Sequence, residues 1–115
     1  MEFQEILKGA ESEGKEKHVP FIEVIKGEET GGTDRVHVLV GKETPHPNTV
    51  EHHIDWIELF GIKQDGQVVT LGRADFAPSY SGPDVSFTLG VGQFQAFAAL
   101  SYCNIHGLWQ NIIEV

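Results

Sequence analysis

Short runs of β-branched and aromatic residues recur along most of this chain, and clusters of Gly, Pro, Asn and Asp separate them. Such a pattern is typical of antiparallel β-structure. We predict seven strands, at about residues 19–26, 35–40, 52–61, 67–76, 85–91, 93–102 and 108–114. No strand is followed by a convincing helical segment, which argues against parallel βαβ units. The pattern therefore predicts an all-β fold: a seven-stranded immunoglobulin-like antiparallel sandwich or barrel with Greek-key topology.

Two local patterns support this interpretation. Val36, Val38 and Val40 alternate with the residues between them, as expected of a strand that buries one face. Asp65 and Gly66 lie between the third and fourth predicted strands, and this dipeptide is a strong signal for a tight hairpin turn. We therefore expect the third and fourth strands to pair directly.

The chain has 115 residues, which is the size of one ordinary domain. We predict a single domain over 1–115, in which the polar, acidic segment 1–17 leads into the candidate site described below. Within that segment, Phe3, Ile6 and Leu7 can form one face of a short helical turn, and a loosely held segment is the alternative. A single cysteine cannot form an internal disulfide, so a disulfide-stapled secreted mini-protein is excluded.

Charge and hydropathy narrow the classes of partner. Seventeen acidic residues oppose eight basic ones, giving a formal net charge of −9, and the basic residues form no cluster. Nucleic acid and anionic membrane surfaces are therefore poor candidate partners. No apolar run approaches the roughly 20 residues of a membrane span, and the start of the chain lacks the pattern of a secretory signal. We accordingly expect a cytoplasmic protein.

Nitrogen and sulfur donors are concentrated in three places: residues 16–18, 45–53 and 103–106. His46 and His52 flank a proline-asparagine turn that can present both rings together, and a Cys and a His three residues apart in a turn can reach one ion. All three groups lie in loops or at strand ends, where a sandwich carries its functional residues. His37 and His53 are not expected among them, because His37 lies on the polar face of its strand and alternation points His53 away from His52.

The donor set indicates which metal is favoured. A closed zinc site usually has more than one cysteine. A blue-copper site uses two His, one Cys and a weak axial Met, but the single methionine is Met1. Several imidazoles with one thiolate suit iron. Two alternatives remain open at this point: a cupredoxin-like electron carrier, and a non-enzymatic partner-binding sandwich with incidental histidines.

Three ordered blocks of sequence resemble one family. The segments EKHVP (16–20), GKETPHPNTVEHHIDWIEL (41–59) and ALSYCNIHGLWQN (99–111) closely resemble the superoxide reductases, the neelaredoxin/desulfoferrodoxin family. The resemblance runs from about Glu16 to the C-terminus. Because longer relatives add a domain with a four-cysteine iron centre, a chain with one cysteine is similar to the one-iron class.

The resemblance implies an oxidoreductase that defends against oxidative stress by reducing superoxide to hydrogen peroxide with one electron. It implies one non-haem iron per chain, cycling between Fe(2+) and Fe(3+). The implied ligands are four equatorial histidines and one axial cysteine: His18, His46, His52, His106 and Cys103. Glu16 would close onto ferric iron as a sixth ligand, and Lys17 would attract superoxide and support proton delivery. The implied partners are a rubredoxin-type electron donor and further copies of the chain, as a homotetramer or a dimer.

Overall fold

The computed structural model describes residues 1–12 and 18–115. Seven strands make up nearly half of the described chain: β1 Phe21–Ile25, β2 Arg35–Leu39, β3 Ile54–Lys63, β4 Val68–Asp75, β5 Asp84–Thr88, β6 Phe94–Cys103 and β7 Gly107–Glu114. Within the described residues, helix is confined to three single turns: α1 Phe3–Ile6, a 3-10 turn Ala10–Ser12 and α2 Gly27–Thr30. None of the helices described is long and apolar enough to cross a membrane.

The strands form two antiparallel sheets. One has the order β1-β2-β5 and the other has the order β4-β3-β6-β7. The chain passes between the sheets three times, from β2 to β3, from β4 to β5 and from β5 to β6. The predicted all-β, two-sheet antiparallel class is therefore confirmed.

The core lies between the two sheets. Val36, Val38 and Val40, predicted to face inward, are at most 2% exposed. Ile57, Leu59 and Phe97 of the larger sheet are fully buried with them. The predicted hairpin is also present, since β3 and β4 pair and the turn between them contains a glycine at φ +90°.

Strand bounds differ from the predicted ones where backbone groups form hydrogen bonds within turns or to side chains instead of to a neighbouring strand. Residues 52 and 53, predicted to begin the third strand, belong to a turn in which Thr49 and His52 exchange backbone hydrogen bonds of 2.9 and 3.2 Å. β5 stops at Thr88, three residues before its predicted end, because the following amides donate to Asp34. The short α2 in the loop 27–34 was not predicted from the sequence.

The β-sheet register brings the three donor segments to one end of the sandwich. Cys103, the last residue of β6, lies opposite Ile54 at the start of β3 and opposite Gly107 at the start of β7. The loop before β3 and the turn between β6 and β7 are therefore neighbours. The segment before β1 joins them, because the Ser101 hydroxyl donates to the His18 carbonyl oxygen at 3.0 Å.

Asp34 connects the β1–β2 loop to the segment after β5. Its carboxylate accepts hydrogen bonds from the backbone of Gly27 at 2.7 Å and of Val91 at 3.2 Å. The hydrogen bond from the Gly27 backbone, and to a smaller extent that from Val91, holds the pKa of this carboxyl below its usual range. The charged form is therefore the one that the fold stabilises.

We expect Asp34→Asn to lower the free energy of unfolding at neutral pH. Because the pKa is lower in the folded than in the unfolded chain, the carboxylate stabilises the fold above its unfolded pKa, and this contribution is lost as the pH falls through the folded pKa. Denaturant unfolding from pH 7 to pH 2.5 should show the variant converging with the wild type in acid. Glu114→Gln, at an exposed strand end, is the control. A deficit of equal size at both pH values would contradict this account.

Candidate metal centre

Four imidazole rings form a closed circuit at the loop end of the sandwich. Going round it, the ring centroids of His18, His46, His52 and His106 are 4.9, 4.8, 5.2 and 4.8 Å apart. Neighbouring rings meet edge to face at interplanar angles of 62–77°. Each ring thus has one neighbour on either side, which is the arrangement of four donors around a common centre.

The sulfur of Cys103 adjoins this circuit. Its Sγ lies 3.7 Å from His46 Nε2 and 3.7 Å from His106 Nδ1, and the residue is fully buried. His18, His46, His52 and Cys103 each offer a donor atom, and these atoms all lie within 4.8 Å of one another. His106 Nδ1 is 3.1 Å from His18 Nε2. Two nitrogens about 2.1 Å from one ion and at right angles would be about 3.0 Å apart, so this spacing suits adjacent donors to one metal.

All five donors expected from the sequence therefore meet in one place, and the two histidines set aside lie elsewhere. His37 projects from the outer face of the three-stranded sheet, between Glu23 and Asp84. The other two site residues expected from the sequence, Glu16 and Lys17, lie outside the described residues.

His18 is positioned by the ends of β6 and β7. The indole of Trp109 stacks on its ring at a centroid distance of 4.7 Å and an angle of 13°. Ser101 is fully buried, and its hydroxyl donates a hydrogen bond to the His18 carbonyl oxygen. The Asn111 side-chain amide donates to the Pro20 carbonyl oxygen at 2.9 Å. Neither Trp109 nor Ser101 was connected with the donors from the sequence alone.

His46 depends on a sharp reversal at Gly41. Gly41 has φ +88°, and a Cβ at that position would lie 2.5 Å from the backbone nitrogen of His46. Only glycine permits both the backbone angle and the close approach. His46 Nδ1–H donates to the Pro47 carbonyl oxygen at 2.7 Å, which leaves the lone pair of Nε2 directed toward Cys103. A neutral imidazole fixed in this tautomer is ready to bind a metal.

A turn closed by Thr49 orients His52 and its neighbour in different directions. The backbone N–H of His52 lies 3.0 Å from Thr49 Oγ1 and 3.2 Å from the Thr49 carbonyl oxygen. The ring of His53 instead contacts the Thr49 carbonyl oxygen at 2.9 Å and Asp55 Oδ1 at 2.8 Å. His53 is therefore a buried structural residue, and Asp55 is its partner.

Asn104 fastens the β6–β7 turn to the loop before β3. Its side-chain oxygen accepts from the His53 backbone N–H at 2.9 Å, and its side-chain amide donates to the Glu51 carbonyl oxygen at 2.9 Å. A third bond runs from its backbone N–H to the His53 carbonyl oxygen at 3.2 Å. These bonds fix the distance between the two loops that carry His52 and Cys103.

A basic side chain lies beside the centre although the chain as a whole is acidic. Lys8 Nζ donates to the His106 carbonyl oxygen at 3.4 Å and lies 5.5 Å from the centroid of the Trp109 ring. Lys42 also has a defined place, with its Nζ 3.7 Å from the centroid of the Phe21 ring. Lys8 lies outside the motifs quoted from the sequence, so spacing alone did not connect it with the donors.

This donor set fits iron. Four neutral imidazoles and one thiolate around a divalent ion leave a net charge near +1, and the mixture of nitrogen with a single sulfur is one that iron accepts. The set has five donors, one more than the four of a closed structural zinc site. His52 and His106 are only half-buried, so the cluster is accessible from solvent.

The sequence model of the desulfoferrodoxin family matches residues 10–112. This chain belongs to the desulfoferrodoxin family. The match begins six residues before Glu16, where the resemblance was expected to start, so it includes the 3-10 turn of the N-terminal segment.

Individual members of the desulfoferrodoxin family are similar over nearly the whole chain. A putative superoxide reductase of Archaeoglobus fulgidus is 50% identical over 108 residues, covering 83% of this chain and 85% of the relative. A crystal structure of a superoxide reductase in the oxidized state superposes with a TM-score of 0.86 at 38% identity, covering 99% of each chain. Superoxide reductase (neelaredoxin) from Ignicoccus hospitalis gives a TM-score of 0.84 at 37% identity, covering 100% of this chain and 98% of that one.

We expect His46→Ala to weaken the binding of ferrous iron by more than about 100-fold, because removing even an outer-shell partner costs about 10–100-fold. Anaerobic titration of the metal-free chain, followed by an iron count, measures the effect. His37→Ala is the matched control, since it removes an imidazole on the other sheet. Iron binding by His46→Ala at the wild-type affinity would exclude His46 from the site.

Proposed function

We propose that this chain is a superoxide reductase of the one-iron class, acting in defence against oxidative stress. The observation that supports the proposal best is the circuit of four imidazole rings with the Cys103 sulfur beside it. In the net reaction, superoxide gains one electron and two protons and becomes hydrogen peroxide. Superoxide reductases named as such are similar to this chain over most of its length.

The residues that would hold the iron are His18, His46, His52, His106 and Cys103. When bound there, iron would supply the single electron by passing from the ferrous to the ferric state. A ferrous ion held by four neutral imidazoles and one thiolate would keep a small positive charge that attracts an anion. The stacked Trp109 and the hydrogen bond on His46 Nδ1 restrain two of the rings before the metal arrives.

Glu16 and Lys17 are proposed to complete the site. Lys17 directly precedes His18 in the sequence, so its Cα is one peptide unit, about 3.8 Å, from that of a proposed ligand residue. We assign it the roles of attracting superoxide and supporting proton delivery to the product. Glu16 is assigned the role of a carboxylate that closes on the ferric centre between turnovers.

Local charge, not net charge, should govern capture of the substrate. A chain at −9 repels an anion at long range, but at physiological ionic strength the field is screened beyond about 8 Å. Basic groups within that distance of the centre therefore decide the encounter. Lys8, held beside His106, supports this proposal because it adds positive charge next to the metal centre.

The remaining assignments concern partners and location. We propose a rubredoxin-type protein as the electron donor, association of copies as a homotetramer or a dimer, and a cytoplasmic location. The rival cupredoxin-like function is disfavoured by the donor set, since a blue-copper site uses two imidazoles and a weak axial ligand, whereas four imidazoles meet at this centre.

The stoichiometry of products tests the function. The iron-loaded, reduced chain should convert each superoxide consumed into one hydrogen peroxide without releasing dioxygen, because the single electron comes from the reduced iron and not from another superoxide. Pulse radiolysis with peroxide and oxygen detection measures both products. Cys103→Ser is the control, because it removes the sulfur donor and keeps a small polar side chain at that position. Release of one dioxygen for every two superoxides would identify a dismutase, and stoichiometric copper in place of iron would identify an electron carrier.

We expect Lys17→Ala to slow the second-order reaction with superoxide by about tenfold and to flatten its dependence on ionic strength, because a local positive charge is lost. Lys63→Ala, at the opposite end of β3, is the control for net charge. Glu16→Ala should leave the rate within about twofold but change the absorption spectrum of the ferric protein. A wild-type rate for Lys17→Ala would remove this residue from the mechanism, and an unchanged ferric spectrum would exclude ligation by Glu16.

A further inference from the structure

The two sheets present outer faces of opposite character. On the three-stranded sheet, His37 interacts with Glu23 at 3.2 Å and with Asp84 at 2.6 Å, and Ser86 lies beside His37 on the neighbouring strand. This is the polar, hydrated face that an antiparallel sheet normally turns to water.

The four-stranded sheet carries apolar side chains on its outer face as well as in the core. We define the outer apolar face by six residues: Phe60, Ile62, Val68, Ala98, Leu100 and Ile112. Register places them side by side, since Ile62 pairs with Val68 and Ala98 lies between Phe60 and Ile112. They line a groove of about 330 Å³, and Val68 and Ile112 are 60% and 54% exposed.

Aromatic and arginine side chains extend the outer apolar face toward the metal centre. Trp56 stacks on Tyr102 at a centroid distance of 5.9 Å, and the Arg73 guanidinium lies 4.4 Å from the centroid of the Trp56 ring. Trp, Tyr and Arg are the residue types that most often dominate binding energy at protein interfaces. At the opposite margin, Leu7 of the N-terminal segment lines the groove while Phe3 and Ile6 stay more than half exposed.

We propose that the outer apolar face is the surface through which two copies of this chain associate. The proposal rests on the homo-oligomer proposed above and adds the surface that forms it. An apolar sheet face of this extent marks an interaction site, and a flat face can meet its own copy across a two-fold axis.

Charge favours a second copy as the occupant. A copy of a chain at −9 would be repelled by most of this molecule's surface. The six residues that define the outer apolar face carry no charge. Beside them, Arg73 lies opposite Glu58 in the register, and its guanidinium donates to Asp75 at 3.0 Å. Two copies can therefore meet over the six apolar residues without placing an acidic side chain in that contact.

The size of the face also suits a dimer. Four strands of 8 to 10 residues, about 4.8 Å apart and rising about 3.3 Å per residue, give a projected area of roughly 600 Å². Two such faces bring about 1,200 Å² together, which is the lower bound for a specific interface, before side-chain relief and the N-terminal segment are added. The dimer would leave the metal centre accessible, because alternation along β6 points Tyr102 to this face and Cys103 to the core.

Substitution of the two most exposed members of the face tests the proposal. Sedimentation equilibrium of the full chain should give a mass that is a multiple of 12.7 kDa. Val68→Lys combined with Ile112→Lys should weaken association by more than about tenfold. Both substitutions make the net charge less negative, so dissociation cannot follow from added overall repulsion. Tyr80→Lys, at a loop residue 93% exposed, is the matched control.

The outcomes distinguish failure of the proposed interface from failure of the proposed homo-oligomer. Dissociation of the double variant with retained iron binding supports the proposal. A double variant that stays associated like the wild type would overturn the proposed face while leaving the homo-oligomer intact. A wild-type monomer would overturn both, without bearing on the reductase activity. Hydrogen exchange of the wild-type protein gives a second reading that needs no variant: amides of β6 and β7 should become less protected on dilution if this face is the interface.

Discussion

The backbone pairing of β6 with β3 and β7 is the constraint on which the metal centre depends. Cys103 ends β6 with no exposed surface, and its register partners Ile54 and Gly107 fix where the neighbouring loop and turn begin. Imidazoles from three distant segments can meet a single sulfur only if that pairing holds. A one-residue slip of β6 would turn Cys103 to the opposite face of the sheet, so the register that stabilises the fold also specifies the site.

How far the fold was predictable differs between strand identity and strand bounds. Alternation at Val36, Val38 and Val40 reflects burial of one face, which every strand of a sandwich shares, so the sequence pattern carries it directly. The ends of strands follow contacts that are remote in sequence. Asp34 draws the amides after β5 out of the sheet, and Thr49 holds His52 in a turn. Such contacts leave no periodic signal.

In the candidate site, too, one part was predictable from the sequence and another was not. Residue type and spacing were enough to find three donor groups, because imidazole and thiolate are scarce and their chemistry is restrictive, and the family resemblance supplied the set of five ligands. The supporting groups could not be found in that way. Trp109 lies on His18 and Asn104 joins two loops through cross-strand neighbours that only the three-dimensional pairing creates. Ser101 offered a weak signal, as a polar residue at an inward position of a buried strand.

A single strand links the metal centre with the outer apolar face. Along β6, Ser101 and Cys103 point toward the core and the metal centre, while Leu100 and Tyr102 point to the outer apolar face. Burying that outer face against a second copy would shield the hydrogen bonds of β6 to both of its neighbours from water. Since local opening of a sheet is easiest where its backbone is hydrated, association would make opening around Cys103 rarer. An interface away from the reacting atoms would thereby help to keep the Cys103 sulfur in place.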